Sequence, residues 1–466
     1  MQNIATEAFN HDSSSNPLNL PEIISLIGNH LDRNSLTNAL RVNKTWNVVL
    51  QHRFWYFVQL PSGWAMERLR TQPLSRTYLQ NNCHFIRILL CPDDTLIDAL
   101  LPNCCYLYEL ELSLISLKST ALVLQNAQSL RSLSRRPNVH QPETSAYRLN
   151  KLTAAMATLN QLRELRLGLF EVNLNEVEYF TTICQRLHLL HLSASIWDLP
   201  SSNPVVFSGI QELIFIKNKM LPLEEIEFVS RCPNLQRFHW QPTSSLSEDQ
   251  QPHLQELFDP RLEYLHTLIL FLAALVDLDI EALIKSLPAL VSLDARNSNF
   301  ADQSVQAIIQ FRSGIRELDI RGCRRINSTM VQLLLSNCKD LETFEGDVFD
   351  IQDIVEGQPW VCTRIKKLSI SIMNTGPVEA RIQDHERMYS QLASLTDLSV
   401  LELGNVEYVP ATTYDWMDLS LSHGLRRLET LQKLKKFTIG RVYGNVIGEA
   451  EREWFREHWP NFAQKT

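Results

Sequence analysis

Glycine is scarce in this chain, 14 among 466 residues, and the scarcity disfavours two classes of protein. Gly-rich loops that cradle a nucleotide and barrels built on many tight turns both draw on it heavily. Long apolar runs are missing too: the longest, Leu268–Val276, is far below the ~20 residues that span a bilayer. There is no basic excess. Lys and Arg number 44 against 52 Asp and Glu, for a formal net charge of −8 and a pI near 5.9. That balance argues against nucleic acid or a membrane surface as the main partner. The opening MQNIATEAFNHDSSSN has no basic segment ahead of an apolar run, so residues 1–16 read as a short disordered tail and not a signal peptide. Nine cysteines include no Cys-x-x-Cys pair, and the odd count points to a reducing compartment, cytosol or nucleus. No zinc-ligand spacing appears, and no cofactor is expected.

What the chain has is leucine at fixed intervals. The pattern Leu-x-x-Leu-x-Leu, with other apolar residues allowed, starts at 107, 162, 187, 210, 235, 265, 290, 315, 341, 365, 398 and 434. Weaker copies are FIRILL (85–90) and LRSLSR (130–135). From 162 to 365 the starts are separated by 25, 23, 25, 30, 25, 25, 26 and 24 residues, the signature and period of leucine-rich repeats. Each copy suits a strand with one buried face. Between copies, SVQAIIQF (304–311), STMVQLLLSNC (328–338) and LEEIEFVSRC (223–232) have helical spacing. A single strand–helix unit cannot bury its apolar face alone, so the expected fold is α/β, a curved solenoid over 85–450 with parallel strands concave and helices convex. Polar, Pro-containing stretches at 134–148 and 241–260 read as loops, as does a third that follows LSISIMNTGPVEA (368–380). The aromatic, amphipathic EREWFREHWPNF (451–462) reads as a cap within 451–466. Cys232, Cys323 and Cys338 fall at recurring phases and read as small buried side chains.

Ahead of the repeats, the segment from Asn19 to Leu50 has apolar residues at helical spacings: Ile23, Ile27 and Leu31 on one face, then Leu36, Leu40 and Val42, then Trp46 and Val49. Pro21 suits a first helical turn, Glu22 follows it, and Asn34 or Ser35 is placed to cap the next helix. Two or three short helices in about 35 residues are too few for a core of their own.

These residues resemble the F-box, the motif that ties substrate receptors to the Skp adaptor of cullin–RING ubiquitin ligases. Leu20-Pro21 with Glu22 opens the match, and Ile27, Leu31, Leu36, Val42 and Trp46 follow at the family's intervals. One departure is that Pro21 and Glu22 are adjacent where the family usually has a residue between them. The resemblance spans residues 17–60, with a linker expected over 61–84. The unit 315–344 is also similar to the cysteine-containing class of leucine-rich repeat found in F-box proteins. The resemblance implies a short all-helical F-box before the solenoid. Leu20, Pro21, Ile23, Ile27, Leu31, Leu36, Val42 and Trp46 would then face the Skp adaptor or support that surface. It further implies a substrate receptor that acts by proximity, linked through the adaptor to cullin–RING, with a target protein on the repeats.

No phosphate loop, His-Glu-x-x-His helix or Gly-x-Ser-x-Gly elbow is present, so the chain is expected to bind and not to catalyse. The alternatives are a repeat scaffold unconnected with ubiquitin and, third, an activator of a small GTPase. On the concave face the fifth position of successive copies gives Arg166, His191, Ile214, His239, Ile269, Asp294, Asp319, Glu345, Ser369, Glu402 and Thr438. The seventh adds Ile216, Phe271, Arg296, Arg321 and Asp347. The expected target-binding surface is the apolar group Ile214, Ile216, Ile269 and Phe271. It continues into the charged stripe of Asp294, Arg296, Asp319, Arg321, Glu345 and Asp347. The other reading of that stripe is ion pairing between neighbouring strands. His191 and His239 are expected as exposed polar groups on the same face.

Overall fold

A computed structural model describes residues 20–59, 71–91, 97–100, 103–112, 116–135, 150–169, 171–172, 176–197, 205–246, 262–312, 314–375, 381–404, 416–440, 447–459 and 463–464. The expected tail 1–16, part of the expected linker and much of the loops expected at 134–148 and 241–260 lie outside these residues, whereas the third, expected after 380, is taken by helix Arg381–Ala393. The chain divides into two compact units, Met1–Arg166 and Leu167–Thr466.

The first unit opens with helices Pro21–His30, Arg33–Ala39 and Lys44–Tyr56. Pro21 takes the first helical position, where its missing N–H costs nothing. The cap of the second helix falls elsewhere than expected. Asp32, and not Asn34 or Ser35, caps the second helix by accepting from Ser35 N–H at 2.8 Å. Asn43 caps the third, accepting from Trp46 N–H at 2.9 Å. A further helix, Pro73–Asn82, occupies part of the stretch read as linker. Strands Phe57–Gln59, Ile88–Cys91, Glu109–Leu112 and Ser132–Arg135 then pair in parallel, in sequence order. Phe57–Gln59 has no counterpart among the leucine copies. The frame of FIRILL is corrected by one residue: Leu89 pairs with Leu110, so Ile86, Leu89 and Cys91 hold the repeat's apolar positions.

In the second unit, strands Leu189–Ser193, Glu212–Ile216, Arg237–Gln241, Thr267–Ile269, Ser292–Asp294, Glu317–Asp319, Thr343–Asp350, Lys367–Met373, Val400–Leu403 and Lys436–Ile439 form one parallel ladder. Every one begins at the third residue of its leucine copy. The first and fourth positions are buried throughout, from Leu187 and Leu190 to Leu434 and Phe437. Each such side chain gains about 2 kcal/mol by leaving water, which only a neighbouring repeat supplies. Helices Asp277–Ser286, Asp302–Phe311, Ser328–Asn337, Ile351–Glu356 and Arg381–Ala393 stack side by side in the same order.

After the strand the chain turns through a left-handed residue at the eighth position: Leu169, Ala194, Lys217, Leu272 and Asn297 have φ between 49° and 55°, and Gly322 has 74°. For a non-glycine side chain this costs on the order of 1 kcal/mol. An inter-repeat hydrogen bond offsets it. The five N–H groups donate to Ser193, Ile216, Gln241, Arg296 and Arg321 carbonyls, each at the seventh position of the next repeat, over 2.8 to 3.0 Å. At Gly322 the Asp347 carboxylate takes over as acceptor.

The cysteines read as core are core. Cys232, Cys323 and Cys338 are buried, as are Cys184 and Cys362, and burial pushes the thiols of Cys323, Cys338 and Cys362 up to about 12. Such thiols stay protonated and unreactive. Helix Glu449–His458 places Phe455 and Trp459 with ring centroids 5.2 and 5.4 Å from Phe437. Beyond it Ala463–Gln464 pairs with Lys436–Ile439, so the ladder runs one strand past the helix.

Candidate functional site

The fifth-position residues of the second unit form one cross-strand row. His191 pairs with Ile214, Ile214 with His239, His239 with Ile269, Ile269 with Asp294, Asp294 with Asp319, and Asp319 with Glu345. Ser369, Glu402 and Thr438 continue it. Ile214, Ile216, Ile269 and Phe271 are half-buried among these neighbours. The Arg296 guanidinium sits 5.1 Å above the Phe271 ring and joins the apolar group to the charged one. The histidines are less exposed than expected. His191 and His239 are both half-buried, and His239 Nε2 is enclosed with no hydrogen-bond partner among the described residues. Burial holds the His239 imidazole below its ordinary pKa, so it is neutral at physiological pH.

The charged stripe is internally paired. Arg296 grips Asp294 through both nitrogens, at 2.9 and 2.6 Å, and reaches Asp319 at 3.3 Å. Arg321 repeats the geometry one strand on, binding Asp319 at 2.9 and 2.5 Å and Glu345 at 2.9 Å. Lys367 closes the row on Glu345 at 2.6 Å. Burial pushes the Asp319 and Asp347 carboxyls up, and the pairing with Asp319 pushes Arg321 up. Arg321→Ala therefore leaves Asp319, Glu345 and Asp347 crowded. It is expected to destabilise the unit by about 2 kcal/mol at neutral pH, with part of the loss recovered in acid as the Asp319 and Asp347 carboxyls protonate. Urea titrations at two pH values check this.

In the first unit the three N-terminal helices share a core of Ile24, Leu36, Ala39 and Leu50, with Leu31, Leu40, Trp46, Val49 and Phe54 packed around it. The first helix approaches the third through Gly28, where a Cβ would run into Leu50 Cδ2. The residues expected to meet an adaptor divide in three. Leu20, Pro21 and Val42 are exposed; Ile23, Ile27, Leu31 and Trp46 are half-buried; Leu36 is interior. Leu20 is 42 % exposed and Val42 60 %. Two further apolar side chains, Leu26 at 62 % and Val48 at 72 %, are exposed on the same helices and were not singled out by spacing.

Parallel strands in sequence order, one per leucine copy and aligned at the same positions of each copy, decide the architecture. The fold is a leucine-rich-repeat array. No family model matches the chain, and no curated protein does. Among solved structures it is similar to the crystal structure of a TLR13–ssRNA13 complex, at 14% identity and a TM-score of 0.40, over 78% of this chain and 47% of that one. The chain thus spans about half the length of that neighbour. Among the described residues no group of three or more His, Cys, Asp or Glu could hold a metal ion, and no helix is long and apolar enough to cross a membrane.

Proposed function

We propose that this chain is a non-catalytic receptor subunit of an SCF-type ubiquitin ligase, its N-terminal helices docking the Skp adaptor and its repeats holding the protein to be modified. One observation carries the reading: a helical module with only four fully buried apolar side chains leaves Leu20, Leu26, Val42 and Val48 in solvent. Exposed apolar groups on so small a core fit a partner that covers them. The F-box resemblance of Leu20, Pro21, Ile27, Leu31, Leu36, Val42 and Trp46 names that partner. The repeats then raise the target's local concentration near a charged conjugating enzyme, with no chemistry asked of this chain.

Co-purification of the full chain with the Skp adaptor tests the proposal. The triple variant Leu20→Ala, Pro21→Ala, Val42→Asp alters exposed positions only, so its melting temperature is expected to stay put while affinity drops at least about thirtyfold, the scale of a lost hot spot. A folded wild-type chain that forms no complex sinks the ligase reading and leaves a repeat scaffold without a ubiquitin connection.

A further inference from the structure

We propose that the first unit carries a docking site for an anionic peptide segment along the edge where its strands begin. The residues immediately before strands Ile88–Cys91, Glu109–Leu112, Ser132–Arg135 and Glu164–Gly168 are Arg87, Tyr108, Arg131 and Arg163. Backbone hydrogen bonds set them in a row: Tyr108 N–H donates to Arg87 O at 2.7 Å, Arg131 N–H to Tyr108 O at 2.9 Å, and Arg163 N–H to Arg131 O at 2.8 Å. Two guanidiniums lie against exposed tyrosines, Arg87 at 5.2 Å from the Tyr106 ring and Arg131 at 5.2 Å from the Tyr108 ring. Stacking fixes the plane of a guanidinium and leaves N–H edges for an oxyanion.

Among the described residues the arginines of the row have no acidic partner. Arg87 donates to the His84 and Ile86 carbonyls and Arg163 to those of Asn160 and Leu162, and none of the three arginines forms an ion pair with a carboxylate of the described residues. Glu164, next in sequence, is taken by Arg166 at 2.7 Å and by Ser132. In the second unit the same edge has a carboxylate of its own: Glu342 stands in the row itself, 4.0 Å from Arg316 and 2.5 Å from Lys366. Three arginines with no carboxylate partner among the described residues are a local reversal of sign in a chain of net charge −8.

The spacing selects the ligand. Strands about 4.8 Å apart put Arg87 and Arg163 roughly 14 Å from one another, the length of about four extended residues. A short peptide with acidic groups on alternating residues matches that interval, its carboxylates or phosphates meeting forked donors. A nucleic-acid strand fits less well, since three cations make a short track on an otherwise acidic chain. The site is independent of the ubiquitin reading and stands or falls without it.

Fluorescence anisotropy with the full chain and a labelled Asp/Glu-rich peptide tests the assignment. Phosphoserine in place of Glu separates a phosphate source from a carboxylate one. Binding is expected to weaken with salt, and Arg131→Glu and Arg87→Glu each to raise Kd about tenfold, one charge-assisted contact apiece. Lys433→Glu, at an exposed cation of the second unit, is expected to change nothing. Arg131→Gln, milder for folding, should show the same trend as Arg131→Glu. No binding of either peptide, equal binding by the Arg131 and Arg87 variants, or a preference for a single-stranded RNA oligomer each overturns the proposal.

Discussion

Asp277→Ala is expected to destabilise the second unit by about 4 kcal/mol, because one carboxylate caps the helix of the following repeat. Asp277 begins its own helix, yet its oxygens accept from Ala301 N–H at 2.8 Å, Gln303 N–H at 2.9 Å, Ser304 N–H at 3.2 Å and Ser304 Oγ at 2.5 Å. Those N–H groups open helix Asp302–Phe311, which has no side-chain cap from the residue that precedes it. The positive end of that helix adds to the attraction. Alanine removes all four contacts at once and leaves buried donors unmet. Asp277→Asn keeps one acceptor and the shape, and should cost roughly half as much. Chemical denaturation of both variants checks the ordering; equal stability of wild type and alanine variant would show that water caps the helix as well as the carboxylate does.

The second large effect is a pH dependence centred on Glu225. Its side chain is 1% exposed, with Trp240 Nε1–H donating at 2.7 Å and Asn218 Nδ2 at 2.8 Å. Burial raises its pKa from 4.5 to about 7, against the pull of those two donors. The folded state therefore holds a proton that the unfolded state has released over pH 4.5 to 7. Glu225's contribution is greatest below pH 4.5, falls across that window and is flat above it, a change of about 3 kcal/mol. Asp319 and Asp347 are pushed the same way by burial and reinforce the slope. Glu225→Gln removes one titration, so the difference between wild-type and variant stabilities should itself vary with pH by that amount. Parallel curves from pH 4 to 8 would count against a buried titrating carboxyl.

The open-face row was legible because a strand alternates with period two and the leucine copies fix its phase, so counting to the fifth residue finds Ile214 or Asp319 without coordinates. Phase was lost where apolar residues are adjacent. Phe85 and Ile86 both fit the first position of the earliest copy, and pairing between Leu89 and Leu110 settles on Ile86. In the first helix Ile23, Ile24, Leu26 and Ile27 spread over nearly half of the circumference, so spacing favoured Ile23 and Ile27 while the core takes Ile24 and Gly28. Asp32, Asn34 and Ser35 are all good caps, and only backbone geometry chooses Asp32. The arginine–tyrosine edge of the first unit lay at the repeat's second position, which has no apolar signature to draw the eye. The left-handed turns were illegible because leucine, alanine and lysine stand where glycine would have announced them.

Those turns give construction of the array a direction. Each left-handed residue from Leu169 to Asn297 whose N–H bonds to a main-chain carbonyl finds that carbonyl in the repeat that follows it in sequence. During synthesis the newest repeat leaves the ribosome before its successor exists, so its turn holds a disfavoured conformation with nothing to answer it. That turn can settle only when some two dozen further residues have emerged, the length of one repeat. The chain is thus ordered one repeat behind its own growing end.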